Sequence, residues 1–242
     1  MDNRKQIRVL VTGGNGLLAT ELKKLNDQNV AFKFVPKNDL DITDNIALQS
    51  HIKLNIPDIV LHTAALTAPM KQHTISPEIS IQTNIIATAN LALTCIQYNI
   101  KLIYISTDYV YPGTKGPYKE TDPLLPINDY AWSKLGGECS VRAVPKHLII
   151  RSAHYPRPFR HDQAFFDFQK SSIYVDEAAP IIIQLIKNNE EGIINLGSSN
   201  YKTVYEFAKA SKPNIKSVSR KTATEYIPCD IRMDLTKIKD LK

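Results

Sequence analysis

Ile7-Arg8-Val9-Leu10-Val11-Thr12-Gly13-Gly14-Asn15-Gly16-Leu17-Leu18-Ala19-Thr20-Glu21-Leu22 places an apolar run, a glycine turn and a helically spaced apolar stretch in immediate succession. The run is short and nearly continuous, as a buried strand requires, and the glycines punctuate it. Strand, glycine turn and helix is the order in which a dinucleotide fold begins. Gly13, Asn15 and Gly16 let the backbone approach a pyrophosphate, and the helix N-terminus near Leu17 faces its negative charge. In G-x-x-G-x-x-G spacing the last position is Ala19, small enough for close packing of helix on strand.

The same alternation continues outward from this unit. Val30 to Val35, Asp58 to Ala64, Lys101 to Ser106, His147 to Arg151 and Ile193 to Leu196 read as further strands. Between them, Thr43 is expected to cap a helix reaching about Leu54, and Ser76-Pro77-Glu78 to open a long one reaching about Tyr98. A helix carries Tyr130, another spans Asp176 to Lys187, and Thr203-Val204-Tyr205-Glu206 is a capping box that starts one more. Strands alternating with helices specify an α/β fold, a doubly wound parallel sheet of Rossmann type. The stretch from Ala153 to Ser172 follows neither period; with Phe159, Phe165, Phe166 and Phe168 it is either a flap or an apolar wall over a ligand.

A chain of 242 residues buries one sizeable core. The only early apolar run is too short for a signal peptide, and no segment approaches the roughly 20 apolar residues that cross a bilayer, so a cytoplasmic protein without a membrane partner is expected. Cys95, Cys139 and Cys229 fit reduced thiols, and no metal-ligand pattern is present. The net charge of +6 is scattered, with mild clusters at Lys212 to Lys221 and Lys237 to Lys242. It reads as a solvated basic surface rather than a nucleic-acid site, and its field suits a ligand carrying a diphosphate.

Tyr130 and Lys134 are spaced to share one face of a helix, where the ammonium is expected to pull the phenol pKa down from about 10. Tyr111/Lys115 and Tyr205/Lys209 have the same spacing. Pro112-Gly113 forbids a helix across the first, and the second lies late in the chain. Only Tyr130 follows a strand end that carries hydroxyls, Ser106-Thr107-Asp108, where ligands of open parallel sheets bind. A polar strand end with a turn is the plain alternative for those three residues. In a Thr107-Tyr130-Lys134 cluster, Thr107 hydrogen-bonds the substrate oxygen, Tyr130 transfers the proton, and Lys134 holds the cofactor ribose and supports the phenolate. The second strand ends in Val35-Pro36-Lys37 without an acid, so Lys37 either faces the 2′-phosphate of NADP or is an ordinary solvent lysine; NADP is favoured, with NAD the other choice.

These stretches resemble the extended short-chain dehydrogenase/reductases, and within them the dTDP-4-dehydrorhamnose reductase family. The likeness rests on Val9 to Leu18, on Ser106-Thr107-Asp108-Tyr109-Val110-Tyr111-Pro112-Gly113, and on Tyr130 to Lys134 continuing into Leu135-Gly136-Gly137-Glu138. It implies NAD(P)H-dependent reduction of the C4 ketone of a nucleotide-linked 4-keto-6-deoxyhexose. It also implies Thr107 and Asp108 at the sugar, Tyr130 as proton donor and Lys134 at the cofactor. Gly16, Leu17 and Leu18 would lie at the pyrophosphate, Asp41 and Ile42 near adenine, Ala65, Leu66 and Thr67 near the ribose, and Ile105 beside the nicotinamide.

The chain also departs from the family. Arg151-Ser152-Ala153-His154 stands where the family has Arg-Thr-Ser-Trp, so His154 takes the place of a tryptophan that touches substrate. The stretch that follows is expected to be shorter than the family's, and the C-terminal end to lack the family's usual closing helix. Residues 1–151 are therefore expected to form the NAD(P)-binding domain, and residues 152–242 a small, shortened substrate lobe interleaved with the last strands and helices of the sheet. Two alternatives stand beside the reductase. One is an epimerase or dehydratase on the same scaffold; the other is a non-catalytic dinucleotide-binding regulatory subunit, as the related β subunit of methionine adenosyltransferase is. Flanking helices that pair across a homodimer complete the expectation.

Overall fold

The sequence alternation becomes, in a computed structural model describing residues 6–239, a six-stranded parallel sheet with helices on both faces. Residues 1–5 and 240–242, the latter ending the C-terminal lysine cluster, lie outside the described residues. In chain order the first elements are β1 (Ile7–Thr12), α1 (Leu17–Lys24), β2 (Val30–Val35), α2 (Asn45–Leu54), β3 (Ile59–His62) and α3 (Gln72–Ile75). Then α4 (Pro77–Ser80) runs through a π-helical turn, Ile81–Ile86, into α5 (Ala87–Gln97), followed by β4 (Lys101–Thr107), α6 (Asp129–Val141) and β5 (His147–Ser152). The remainder comprises β6 (His154–Tyr155), β7 (Gln163–Phe165), β8 (Ile173–Tyr174), α7 (Val175–Lys187), β9 (Gly192–Leu196), α8 (Val204–Lys209), β10 (Lys216–Val218) and α9 (Thr236–Lys239).

The strand order is β2-β1-β3-β4-β5-β9. It reverses direction at β1, which pairs with β2 on one side and β3 on the other, so the carboxyl ends of β1 and β3 open a crevice at the topological switch point. The expected doubly wound fold is thus present, with β9 of the C-terminal part completing the sheet. A smaller lobe holds two short parallel ladders, β6 with β8 and β7 with β10. Residues 153–172 lack a period because they serve both ladders in turn. They also build a core: Phe159 and Phe168 are buried, and Phe207 stacks on Tyr174 with ring centroids 4.1 Å apart.

Three local expectations change. Asp44, not Thr43, caps α2, because its carboxylate accepts from the amides of Ile46 and Ala47; Thr43 instead donates to Asp41. The third strand is shorter than read, ending at His62. Pro77–Gln97 is a 21-residue helical run whose most apolar 18-residue window has mean hydropathy 1.4, so by length and composition alone it reaches the span that no segment was expected to approach, and 44% of that window is buried inside the protein. Here it lies beside α2 and α6, with Asn84, Thr88 and Thr94 buried along it.

One buried polar network ties sheet, helix and C-terminal part together. Arg151 and Glu138 are each 1% exposed and meet at 2.8 Å (Nη2 to Oε2), with a second bond of 3.1 Å from Nε to Oε1. Ser106 donates to the same carboxylate from β4. Arg151 Nη1 donates to the Tyr111 hydroxyl (2.9 Å), which donates to Asn195 Oδ1 on β9 (2.8 Å). Tyr111 is therefore a structural partner, which disposes of its spacing with Lys115. Gly137, in the helical turn before Glu138, allows the approach: a Cβ there would meet the Tyr104 hydroxyl at 2.4 Å and the Asn84 carbonyl at 2.8 Å. Removing one member of a buried ion pair strands the other, so Arg151→Met is expected to lower stability by about 3–5 kcal/mol. Urea unfolding measures it, and a loss below about 1 kcal/mol would contradict this role.

Candidate active site

The glycine turn bends where β1 ends. Gly13 has φ +67° and lies so close to the chain just after β3 that a Cβ would meet Ala64 Cα at 2.8 Å, which only glycine tolerates. The Gly14 amide donates to the Val35 carbonyl (2.9 Å), anchoring the turn on β2. Gly16 is the N-cap of α1 without a side-chain cap, and the first turn of that helix carries no acid. A Cβ on Gly16 would touch only the Gly13 carbonyl oxygen. The helix amides are thus left open above a cradle of small residues, a suitable seat for a phosphate. Asn15 is exposed and accepts from Lys23 (3.4 Å); Leu17 is 37% exposed, whereas the Leu18 side chain is buried in the core and offers only its amide.

Across the crevice, Ala65, Leu66 and Thr67 follow β3. Asn84, in the π-helical turn, clamps this loop: its Oδ1 accepts from the Leu66 amide (2.8 Å), and its Nδ2 donates to the Leu66 carbonyl (2.9 Å) and to Ser133 Oγ (2.9 Å). The π-turn thus links the loop to α6, a device the sequence reading did not find. Lys37 and Asp41, both expected near the adenosine, are brought together, 3.5 Å apart, with Lys37 79% exposed. Asp41 is held below the usual carboxylate range by the Thr43 amide and hydroxyl and by Lys37. Ile42 is buried beside it, and Ile105 is buried at the end of β4.

Asn128 caps α6 by accepting from the Ala131 amide (2.8 Å), which starts the helix just before Tyr130. Thr107, Asp108, Tyr130 and Lys134 gather at the carboxyl end of β4. Tyr130 is half-buried, and its ring packs on His73 with centroids 5.2 Å apart. His73 Nδ1 meets Ser80 Oγ at 2.7 Å, while its Nε2 is buried without a hydrogen-bond partner. Asp108 is buried and faces Lys170 (Nζ to Oδ2, 3.3 Å), from the loop between β7 and β8.

The expected electrostatics of the Tyr130/Lys134 pair are reversed. Tyr130 lies above the ordinary tyrosine value, through burial and the charge of Asp108, with Thr107 and Lys170 acting the other way. Lys134 is pushed down to about 7 by burial, against the pull of Glu138 one turn on. Its ammonium sits 4.0 Å above the Tyr104 ring, so the cation is spent on that face and on Glu138. His154 is half-buried near Lys134 and lowered to about 4 by burial and that lysine's charge. Beneath them His62 bridges Thr12 (2.8 Å) and Thr88 (3.1 Å) and is neutral, pushed to about 3 by burial and Lys134.

This geometry agrees with what the chain is similar to. The family model described as RmlD substrate binding domain matches residues 7–155. The chain belongs to this family. It is 36% identical over 150 residues to a dTDP-4-dehydrorhamnose reductase of Streptomyces griseus, covering 60% of this chain and 49% of that protein. It is 37% identical over 142 residues to methionine adenosyltransferase 2 subunit beta of Pongo abelii, covering 55% of this chain and 42% of that one. The alignments thus span about half the length of these relatives. Among solved structures, a dTDP-4-dehydrorhamnose reductase of Bacillus anthracis in complex with NADP superposes with TM-score 0.87 at 27% identity, covering 97% of this chain and 92% of that one. The likeness of fold therefore runs beyond residues 7–155, into the C-terminal lobe.

The displaced lysine has a measurable consequence. Folding takes Lys134 from about 10.4 in the unfolded chain to about 7, so between those values the unfolded chain binds more protons. Stability therefore rises with pH across that window and is lowest where the buried ammonium is charged in both states. Lys134→Met is expected to flatten the rise between pH 7 and 9 in ligand-free protein, read as the urea midpoint against pH; an unchanged slope would show that Lys134 is not desolvated.

Proposed function

We propose that this chain reduces the C4 ketone of a nucleotide-linked 4-keto-6-deoxyhexose with a nicotinamide cofactor, NADP in preference to NAD. The observation that carries the reading is the convergence of Thr107, Tyr130 and Lys134 at the end of β4, beside the switch-point crevice built by Gly13 to Gly16. The open helix amides and the Gly16 cradle fit a dinucleotide pyrophosphate, and the NADP-bound relative shares nearly the whole fold. When bound, the cofactor supplies the hydride. The chain's own residues do the rest. Tyr130 holds the proton that the former carbonyl oxygen takes up, and its hydroxyl, kept protonated by its raised pKa, is in the acid form that reduction needs.

Thr107, at the end of β4, supplies a hydroxyl for the substrate oxygen, and Lys134 offers donors to ribose hydroxyls without a permanent charge. Lys37 would meet the 2′-phosphate after leaving Asp41, and His154 would border the sugar. The substrate class rests on the reductase relatives. The proposal includes a homodimer through the helices that flank the sheet, supported by exposed Leu93 and Ile96 on α5 and Trp132 on α6. A non-catalytic dinucleotide-binding subunit is the second reading, favoured by the similarity to the methionine adenosyltransferase subunit.

Two assays separate these. With NADPH and a panel of 4-keto-6-deoxy nucleotide sugars, the protein should oxidise cofactor, and Tyr130→Phe should lower turnover by roughly 10²- to 10⁴-fold with cofactor affinity unchanged. Cofactor binding without oxidation on any member favours the regulatory reading, and an active Tyr130→Phe removes Tyr130 from its role. In fluorescence titrations Lys37→Ala should weaken NADPH more than NADH; equal losses would take Lys37 out of the phosphate site.

A further inference from the structure

A second lysine reaches the glycine turn, and it comes from the helix rather than from the end of β2. Lys23 lies in the last turn of α1 and is exposed. Side chains on a helix lean toward its N-terminus, and this one runs back along α1 until its Nζ is 3.4 Å from Asn15 Oδ1, in the turn. The same Nζ stands 5.3 Å from the centroid of the Phe34 ring, on the next-to-last residue of β2. Phe34 is steadied by Phe32, whose ring stacks on it at 5.6 Å. Turn and strand are closed on each other here, since the Gly14 amide donates to the Val35 carbonyl at 2.9 Å. The ammonium therefore stands over the seam between the glycine turn and the end of β2.

Both partners of this ammonium are neutral. Among the described residues no carboxylate lies within ion-pair distance of it, whereas its neighbour Lys24 is paired with Glu21 at 2.7 Å and Lys37 with Asp41 at 3.5 Å. An amide oxygen and a ring face hold a cation in place without neutralising it. The seam is also where a dinucleotide fold puts the adenosine ribose: the acid that selects a free 2′-hydroxyl stands about 20 residues beyond the glycines, at the second strand. This chain has no acid from Val30 to Lys37. A ribose at the seam meets an uncompensated positive charge and no carboxylate.

We propose that Lys23, held by Asn15 and Phe34, is a specificity-determining residue for the cofactor: it donates a charge-assisted hydrogen bond to the 2′-phosphate of NADP. The inference deepens the reductase proposal and rests on its dinucleotide crevice. Lys37 must leave Asp41 to reach the same phosphate, so Lys23 is the cation already in place and Lys37 adds to it. Selection of NADP then has a source on α1, eight residues beyond Asn15, which the residues at the end of β2 do not disclose.

The test needs no turnover. ADP-ribose and 2′-phospho-ADP-ribose, which lack the nicotinamide, are titrated calorimetrically into the protein at one fixed ionic strength. The wild type should bind the 2′-phosphorylated ligand more tightly. Lys23→Met keeps an apolar stem over Phe34 and removes the charge; it should weaken that ligand by about 10- to 100-fold and leave ADP-ribose unchanged. Lys23→Arg should retain the preference. Lys24→Met, one residue on and paired with Glu21, controls for the general positive field of the surface and should alter neither affinity. No preference in the wild type, unchanged binding or equal losses for the two ligands in Lys23→Met, or an effect as large in Lys24→Met, would overturn the inference. Binding of neither ligand would remove the dinucleotide crevice and this inference together. Binding of both ligands without the dependence on Lys23 would remove this inference alone and leave the reductase proposal to its own assay.

Discussion

The ion pair between Arg151 and Glu138 is the constraint on which the site depends. It is sealed from water, and it joins β5 to α6 while Ser106 brings β4 to the same carboxylate. Tyr111 and Asn195 extend it to β9, so the last strand of the sheet is gripped by the same guanidinium. A buried pair of this kind gains little net free energy over apolar packing, yet its geometry tolerates few alternatives. Lys134 stands one helical turn before Glu138 and Tyr130 one turn before that, so fixing Glu138 against Arg151 sets the height of both above the sheet. Gly136 and Gly137 let the helix settle close enough for this to happen.

Charge around Tyr130 is arranged in two opposed pairs rather than one. On one side Lys134 leans on Tyr104 and Glu138, desolvated and near neutrality. On the other, Lys170 answers Asp108 in a pocket of aromatic rings. The phenol between them is kept protonated, which suits a donor of protons better than an acceptor. The switch-point crevice is built differently, from backbone: a left-handed glycine, uncapped helix amides and a loop clamped by Asn84.

Much of this was legible in the sequence for reasons of range. The strand, glycine turn and helix around Gly13 are set by local chemistry, and so is the Tyr130/Lys134 spacing, and both appear where the pattern put them. The sign of the Tyr130/Lys134 electrostatics was not legible, because spacing says which side chains share a face and nothing about the water around them. Burial, which decides it, comes from Tyr104 and His62 on strands far away in the chain. Lys170 was missed for a related reason: it sits in a stretch without periodicity, and its partner is 62 residues earlier. Asn84 lay inside what read as an ordinary long helix, where no local signal marks a π-turn.

The central claim is that the crevice at the ends of β1, β3 and β4 brings a nicotinamide and a keto-sugar together with Tyr130. The most direct measurement is isotope transfer from deuterated NADPH to a 4-keto-6-deoxy nucleotide sugar, read by mass spectrometry and NMR of the recovered sugar. The account predicts one deuterium, at C4, with wild-type protein and almost none with Tyr130→Phe. Tight binding of the labelled cofactor with no deuterium in any sugar of the panel would contradict it.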